Sequence, residues 1–127
     1  MINTPSPKHF WRWFDPRSRS TGTWAFILNR ITAIGLTIYL FMHLTMLGTL
    51  ALGPEAYNGF ISLAKSWPFK VGEMFVIAGG IIHGLNGIRI SLTSFGLGVR
   101  YQKQLFYMLM MVAFISIAAF GVSMFSE

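Results

Sequence analysis

Three long apolar stretches, separated by short polar segments, dominate the pattern of the chain. They cover about residues 24–52, 71–93 and 105–125. Each is longer than the roughly 20 helical residues that cross a hydrocarbon core of ~30 Å at ~1.5 Å per residue. The pattern therefore predicts an all-α membrane protein with three transmembrane helices, in which residues 24–127 form one membrane domain.

The segments between these stretches carry signals for helix ends. Gly53 and Pro54 are predicted to end the first helix, and Pro68 is predicted to precede the second. Residues 1–23 are predicted to be a cytoplasmic, interfacial segment, because residues 9–14 mix aromatic and basic side chains, which suits the headgroup region. A disordered tail with incidental aromatic residues is the alternative for this segment.

Composition supports a membrane location. The chain is 54% hydrophobic and 11% charged, too few charged residues to solvate a globular surface of this size. The net charge of +6 raises the possibility of a nucleic-acid partner, but the sequence has no recognition helix or basic aromatic sheet. We therefore expect the lipid bilayer as a partner and no nucleic acid. The absence of cysteine excludes disulfides and thiolate metal sites.

The distribution of Lys and Arg predicts the orientation in the membrane. Basic residues cluster before the first apolar stretch and again before the third, namely Lys8, Arg12, Arg17, Arg19, Arg100 and Lys103. Short loops rich in Lys and Arg remain on the cytoplasmic side. This predicts a cytoplasmic N-terminus and a C-terminus on the outer side.

Two histidines lie inside the predicted spans. His43 is in the first and His83 in the second, and an ionisable residue within a membrane helix is a functional candidate. Neutral histidine is a common haem ligand, although a histidine that only hydrogen-bonds a neighbouring helix is the alternative. Arg89 lies six residues beyond His83, about 9 Å along a helix axis, near the distance from a haem iron to its propionates.

Small residues surround His83 on its helix. Four glycines clear side chains from one face, namely Gly79, Gly80, Gly84 and Gly87. A flat macrocycle needs such a face, but small residues also permit close packing of two helices. The glycines are therefore compatible with both a haem site and a protein interface.

Two motifs carry a resemblance to a known family. Residues 83–89, His-Gly-Leu-Asn-Gly-Ile-Arg, are similar to the His-x-x-x-Gly-Ile-Arg signature of the cytochrome b subunit of succinate dehydrogenase. Residues 29–33, Asn-Arg-Ile-Thr-Ala, resemble the family's His-Arg-Ile-(Ser/Thr)-Gly element, and residues 6–10 weakly resemble its N-terminal Ser-Pro-His-Leu. The matches occur in family order. Asn29 replaces the family's histidine, and Phe26 stands where many relatives carry a quinone-contacting serine.

The resemblance implies a haem b-binding anchor of succinate dehydrogenase (complex II) or fumarate reductase, in a bacterial or archaeal cytoplasmic membrane. Such a subunit transfers electrons from an iron-sulfur subunit to quinone, is not itself catalytic, and assembles with a flavoprotein subunit and a second three-helix anchor subunit in a larger helix bundle. His83 would be an axial ligand of the proximal haem, Arg30 and Arg89 would neutralise propionates, and Phe26 and Arg30 would contact the quinone.

His43 extends the resemblance to members that hold two haems. It would be the axial ligand of a distal haem, at an expected depth offset of ~12 Å from His83. Such di-haem enzymes resemble types that use menaquinone. A single haem with a structural His43, a haem-free structural anchor, and a di-haem cytochrome b of another respiratory dehydrogenase are the alternatives.

Overall fold

Four α-helices make up most of the protein in a computed structural model, which describes Arg17 and residues 20–126. They are α1 (Thr21–Gly48), α2 (Pro54–Ala64), α3 (Trp67–Ser94) and α4 (Gln102–Ser126). Short 3-10 turns, Thr49–Leu52 and Val99–Tyr101, follow α1 and precede α4.

Three segments are long and apolar enough to cross a membrane, namely Thr21–Leu52, Trp67–Ser94 and Val99–Ser126. The prediction of an all-α protein with three membrane-spanning helices is confirmed. The predicted interfacial segment, residues 9–14, lies outside the described residues.

Helix ends follow from local chemistry. Ser20 caps α1, because its hydroxyl accepts a hydrogen bond from the Thr23 amide at 3.4 Å. Gly53 has a φ of +107°, a conformation that is strained for residues with a Cβ, and it ends the 3-10 turn after α1. Pro68 lies inside the first turn of α3, where its missing amide costs no hydrogen bond, so α3 begins four residues before the predicted position.

The short helix α2 was not predicted from the sequence, which indicated only a connector. Pro54 occupies its first turn together with Glu55, a favourable arrangement at a helix N-terminus. One face of α2 is half-buried, and its residues follow helical spacing: Tyr57, Phe60, Ile61 and Ala64. Helix α2 contacts mainly the 3-10 turn that follows α1, and to a lesser extent α1 and α3 themselves.

Helix α3 is the centre of the bundle, because it packs along both α1 and α4. Helices α1 and α4 have fewer contacts with each other, one of which joins the Thr21 and Tyr107 hydroxyls at 3.4 Å. Among the described residues, the few buried side chains are Ala25, Ile27, Asn86, Arg89, Phe106 and Ala113. Most large apolar side chains point outward, which is stable in hydrocarbon. The buried polar residues Asn86 and Arg89 therefore mark an unusual region of the bundle.

Candidate functional site

The ring of His83 is held between α3 and α1. Its Nδ1 atom lies 3.2 Å from the Asn29 carbonyl oxygen and 3.2 Å from the Thr32 hydroxyl. The Thr32 hydroxyl donates its own hydrogen to a carbonyl of its helix, with Leu28 O at 2.8 Å, so towards His83 it acts as an acceptor. Since both groups facing Nδ1 can accept a hydrogen bond, the geometry fits the neutral tautomer with the proton on Nδ1 and a lone pair on Nε2.

This arrangement is the one that a metal-ligating histidine requires. An imidazole that binds a metal through one nitrogen donates the N–H of the other to a carbonyl, carboxylate or water, which fixes the ring and raises its basicity. For His83 the partners on α1 have this role. The free Nε2 is therefore the atom through which the ring can bind an iron.

Open space surrounds His83 on α3. A Cβ atom added at Gly79, Gly84 or Gly87 would have no neighbouring atom within 4 Å, and one at Gly80 would meet only the Leu36 side chain at 4.0 Å. Gly79 and Gly87 are four residues from His83, so they lie on nearly the same face of the helix. The residues present thus fit a flat macrocycle beside the imidazole, as they would fit a closely packed helix.

Arg30 and Phe26 form a pair on the surface of α1. The guanidinium carbon of Arg30 lies 4.6 Å from the centroid of the Phe26 ring, a cation-π arrangement between residues one turn apart. Both side chains are exposed, and Phe26 is 45% exposed. The structure thus brings together the two residues predicted to contact quinone. They lie next to Asn29, whose carbonyl holds His83.

Arg89 lies on a different side of α3 from His83. Six residues at about 100° each separate the two by roughly 120° around the helix axis. The Arg89 side chain is 8% exposed, and its guanidinium lies 5.8 Å from the Phe106 ring centroid on α4. His83 instead contacts α1. The structure does not bring Arg89 to the His83 ring, and its role towards a propionate stays a prediction.

Asn86 connects Arg89 to α1 and was not singled out from the sequence. Its amide nitrogen donates to the Ala25 carbonyl at 2.8 Å, and its amide oxygen accepts from Arg89 Nε at 3.0 Å. Asn86 is fully buried. An amide in a membrane helix needs such partners, because an unsatisfied polar group in hydrocarbon costs several kcal/mol. That cost is the signal that could have identified Asn86 in the sequence.

His43 lies on α1 at a different level from His83. It is exposed, its ring stacks on Tyr39 with centroids 5.4 Å apart, and its Nδ1 is 3.4 Å from the Tyr39 hydroxyl. His83 contacts Asn29 and Thr32, and His43 follows these residues by fourteen and eleven positions. At ~1.5 Å per residue the offset is about 16–21 Å, larger than the ~12 Å predicted from span centres.

The two histidines are too far apart to bind one iron. Among residues 20–126, no three His, Cys, Asp or Glu side chains come together as a metal site. Within residues 20–126, neither histidine therefore has a second histidine with which it could hold one iron.

Comparison with known proteins identifies the family. Residues 4–122 match the model of the succinate dehydrogenase/fumarate reductase transmembrane subunit. The chain is 33% identical over 99 residues to the succinate dehydrogenase hydrophobic membrane anchor subunit of Halobacterium salinarum, covering 77% of this chain and 74% of that protein. It is 29% identical over 89 residues to the succinate dehydrogenase 2 membrane subunit SdhC of Mycobacterium tuberculosis, covering 69% and 65%. The chain therefore belongs to the succinate dehydrogenase/fumarate reductase transmembrane subunit family, as a multi-pass membrane anchor subunit.

Proposed function

We propose that this anchor holds a haem b at the junction of α1 and α3, and that it serves electron transfer from an iron-sulfur subunit to quinone in a prokaryotic cytoplasmic membrane. The observation that carries the proposal is the hydrogen bonding of His83. Its Nδ1 faces two acceptors, the Asn29 carbonyl and Thr32 hydroxyl, each at 3.2 Å. Among the described residues Nε2 has no hydrogen-bond partner, and Gly79, Gly84 and Gly87 leave open space on the same helix.

The roles of the chain's own residues follow from this geometry. A bound haem b would supply one-electron transfer. His83 would ligate the iron through Nε2, while Thr32 and the Asn29 carbonyl hold the ring in one orientation. A second three-helix anchor subunit would supply the opposing ligand. A flavoprotein subunit would oxidise succinate, and the cytoplasmic N-terminal end of the bundle would face the iron-sulfur subunit.

His43 is the proposed ligand of a second, distal haem. His43 lies about 16–21 Å along α1 from the residues that contact His83, namely Asn29 and Thr32. This separation leaves room for a macrocycle at each level. Tyr39 stacks on the His43 ring and restricts its orientation. An anchor with two haems at these levels would resemble the di-haem enzymes that use menaquinone.

Arg30 and Phe26 are the proposed quinone contacts. A guanidinium donates charge-assisted hydrogen bonds to carbonyl oxygens, and an aromatic ring offers a flat apolar surface to a quinone ring. The 4.6 Å contact between the two side chains keeps both groups together at the surface of α1. The same guanidinium could pair with a propionate, as could Arg89.

Arg30→Leu is expected to lower succinate:quinone reductase activity about tenfold or more, because a hydrogen bond to a charged donor is worth ~1.5–3 kcal/mol. Succinate oxidation with a soluble artificial acceptor should remain nearly unchanged, since that reaction bypasses the quinone. Both rates are measured on purified complex. Arg100→Leu is the matched control, since it removes an exposed basic residue elsewhere on the chain. An equal loss of both activities in Arg30→Leu would contradict the quinone role and indicate defective assembly.

Thr32→Val is expected to raise the midpoint potential of the proximal haem by a few tens of millivolts. The variant removes one of the two acceptors at Nδ1, which makes the imidazole less basic and stabilises ferric iron less. The hydrogen bond contributes ~1 kcal/mol, and only part of that free energy acts on the potential. For a one-electron couple, ~59 mV corresponds to a tenfold change in the equilibrium constant for reduction. Thr32→Ser keeps the hydroxyl and should titrate like the wild type. Identical titrations of the valine and serine variants would contradict the role of Thr32.

A further inference from the structure

A small cavity lies where the ends of all three spanning helices meet. It has a volume of about 220 Å³ and is lined by the first residues of α1, by Arg89 of α3, and by Gln102, Lys103 and Phe106 of α4. The described residues that line it include two cations and no acidic side chain. The cavity is separate from the glycine-lined face beside His83.

Arg89 is built into this cavity in a fixed orientation. Its Nε donates to the buried Asn86 amide, which is itself tied to the Ala25 carbonyl, and the Phe106 ring lies beside the guanidinium. The side chain is 8% exposed. Its two terminal nitrogens have no hydrogen-bond acceptor in the part of the chain that the structure describes. A buried guanidinium with a free outer edge is suited to bidentate recognition of an oxyanion.

The other groups that line the cavity also carry positive charge or partial positive charge. Helix α1 begins at Thr21, so the amides of Thr21 and Gly22 have no acceptor within the helix and carry the positive end of the helix dipole. Lys103 adds a second, exposed cation from the first turn of α4. The cavity therefore gathers a buried guanidinium, an ammonium and a helix N-terminus around one space.

The position of the cavity along the helices indicates which kind of oxyanion could reach it. The candidate spans begin at Thr21 and Val99 and end at Ser94, so the cavity lies at one end of the three spans, where a membrane boundary is expected. Lipid phosphates lie at this boundary, and basic pockets between transmembrane helices bind anionic headgroups. We infer that the cavity formed by Arg89, Lys103 and the N-terminus of α1 binds the phosphate group of an anionic phospholipid.

The inference is tested by lipid titration of the purified, detergent-solubilised complex, with bound lipid counted by native mass spectrometry. Dioleoylphosphatidylglycerol should occupy one saturable site per chain, and dioleoylphosphatidylcholine should compete poorly. Lys103→Gln should weaken the phosphatidylglycerol site roughly fivefold, since a basic residue near a lipid surface contributes on this scale. Arg100→Gln, a change of equal charge three residues away that does not line the cavity, should leave the site intact.

Three outcomes would overturn the inference. Equal weakening of phosphatidylglycerol binding by Lys103→Gln and Arg100→Gln would show that general surface charge, and not a specific site, attracts the lipid. Displacement of the lipid by inorganic phosphate at matched concentration would assign the cavity to a soluble phosphate compound. Loss of haem in Lys103→Gln, measured by pyridine haemochrome, would assign the cavity to a haem propionate. Haem content in this variant should equal that of the wild type, so failure of the lipid site and failure of the haem proposal are distinguishable.

Discussion

His83→Ala is expected to remove the proximal haem, so that a complex with two haems retains about half of its haem per protein. The free Nε2 of His83 is the proposed ligand, and among the described residues no cluster of metal-binding side chains could replace it. A haem with only the partner's ligand would be held much more weakly, since even changes to groups behind a ligand cost 10–100-fold in affinity. Pyridine haemochrome measured against protein gives the stoichiometry.

A control separates loss of the ligand from loss of packing, because His83→Ala also removes the contacts with Asn29 and Thr32. Exogenous imidazole can enter the space left by the side chain and supply a nitrogen to the iron. We expect it to restore part of the reducible b-type absorbance in His83→Ala and to have little effect on the wild type. Unchanged haem content together with an unchanged redox titration in His83→Ala would contradict the assignment.

His43→Ala is expected to remove the distal haem and leave the proximal one. Potentiometric titration of the wild type should resolve two haem components, and the variant should retain one, with haem content falling by about half. The physical reason is the separation of about 16–21 Å between the levels of His43 and His83, which prevents either from substituting for the other.

Tyr39→Phe is the matched control for His43→Ala. It removes the hydroxyl 3.4 Å from His43 Nδ1 but keeps the ring that stacks on the imidazole. Both haem components should persist, with at most a shift in the potential of the distal one. A single component in the wild type would instead support one haem and a structural His43, as would survival of both components in His43→Ala.

Much of the fold could be predicted because length and hydropathy alone identify a membrane helix. The spans were predicted to within six residues at every end. The largest difference is the start of the third span, at Val99 instead of about residue 105, and the next is the start of α3 at Trp67, which places Pro68 within the helix. Helix α2 was missed because its eleven residues are too short and too polar to produce a transmembrane pattern. Its start, Gly53-Pro54-Glu55, nevertheless carries the ordinary signals of a helix N-terminus.

The candidate site could be predicted only in part, because the sequence identifies polar residues in apolar spans but not the faces they occupy. His83 was found as an ionisable residue, whereas the support from Thr32 depends on the register of two helices distant in sequence. These contacts also give a larger offset between His43 and His83 along α1 than the ~12 Å predicted. The 120° between Arg89 and His83 follows from helical periodicity, but only packing shows that α4 lies on the Arg89 side.

The sparse packing of α1 has a consequence for the supply of subunits in the cell. The most apolar part of α1 has no residue buried within this chain. The helix nevertheless carries Arg30 and His43 at exposed positions. A copy inserted without partners would leave these groups facing acyl chains, where a charged side chain costs ~2.5–3.5 kcal/mol even on the mildest scale. Synthesis in matched amounts with its partners is therefore expected, and surplus copies should be short-lived substrates of membrane proteases.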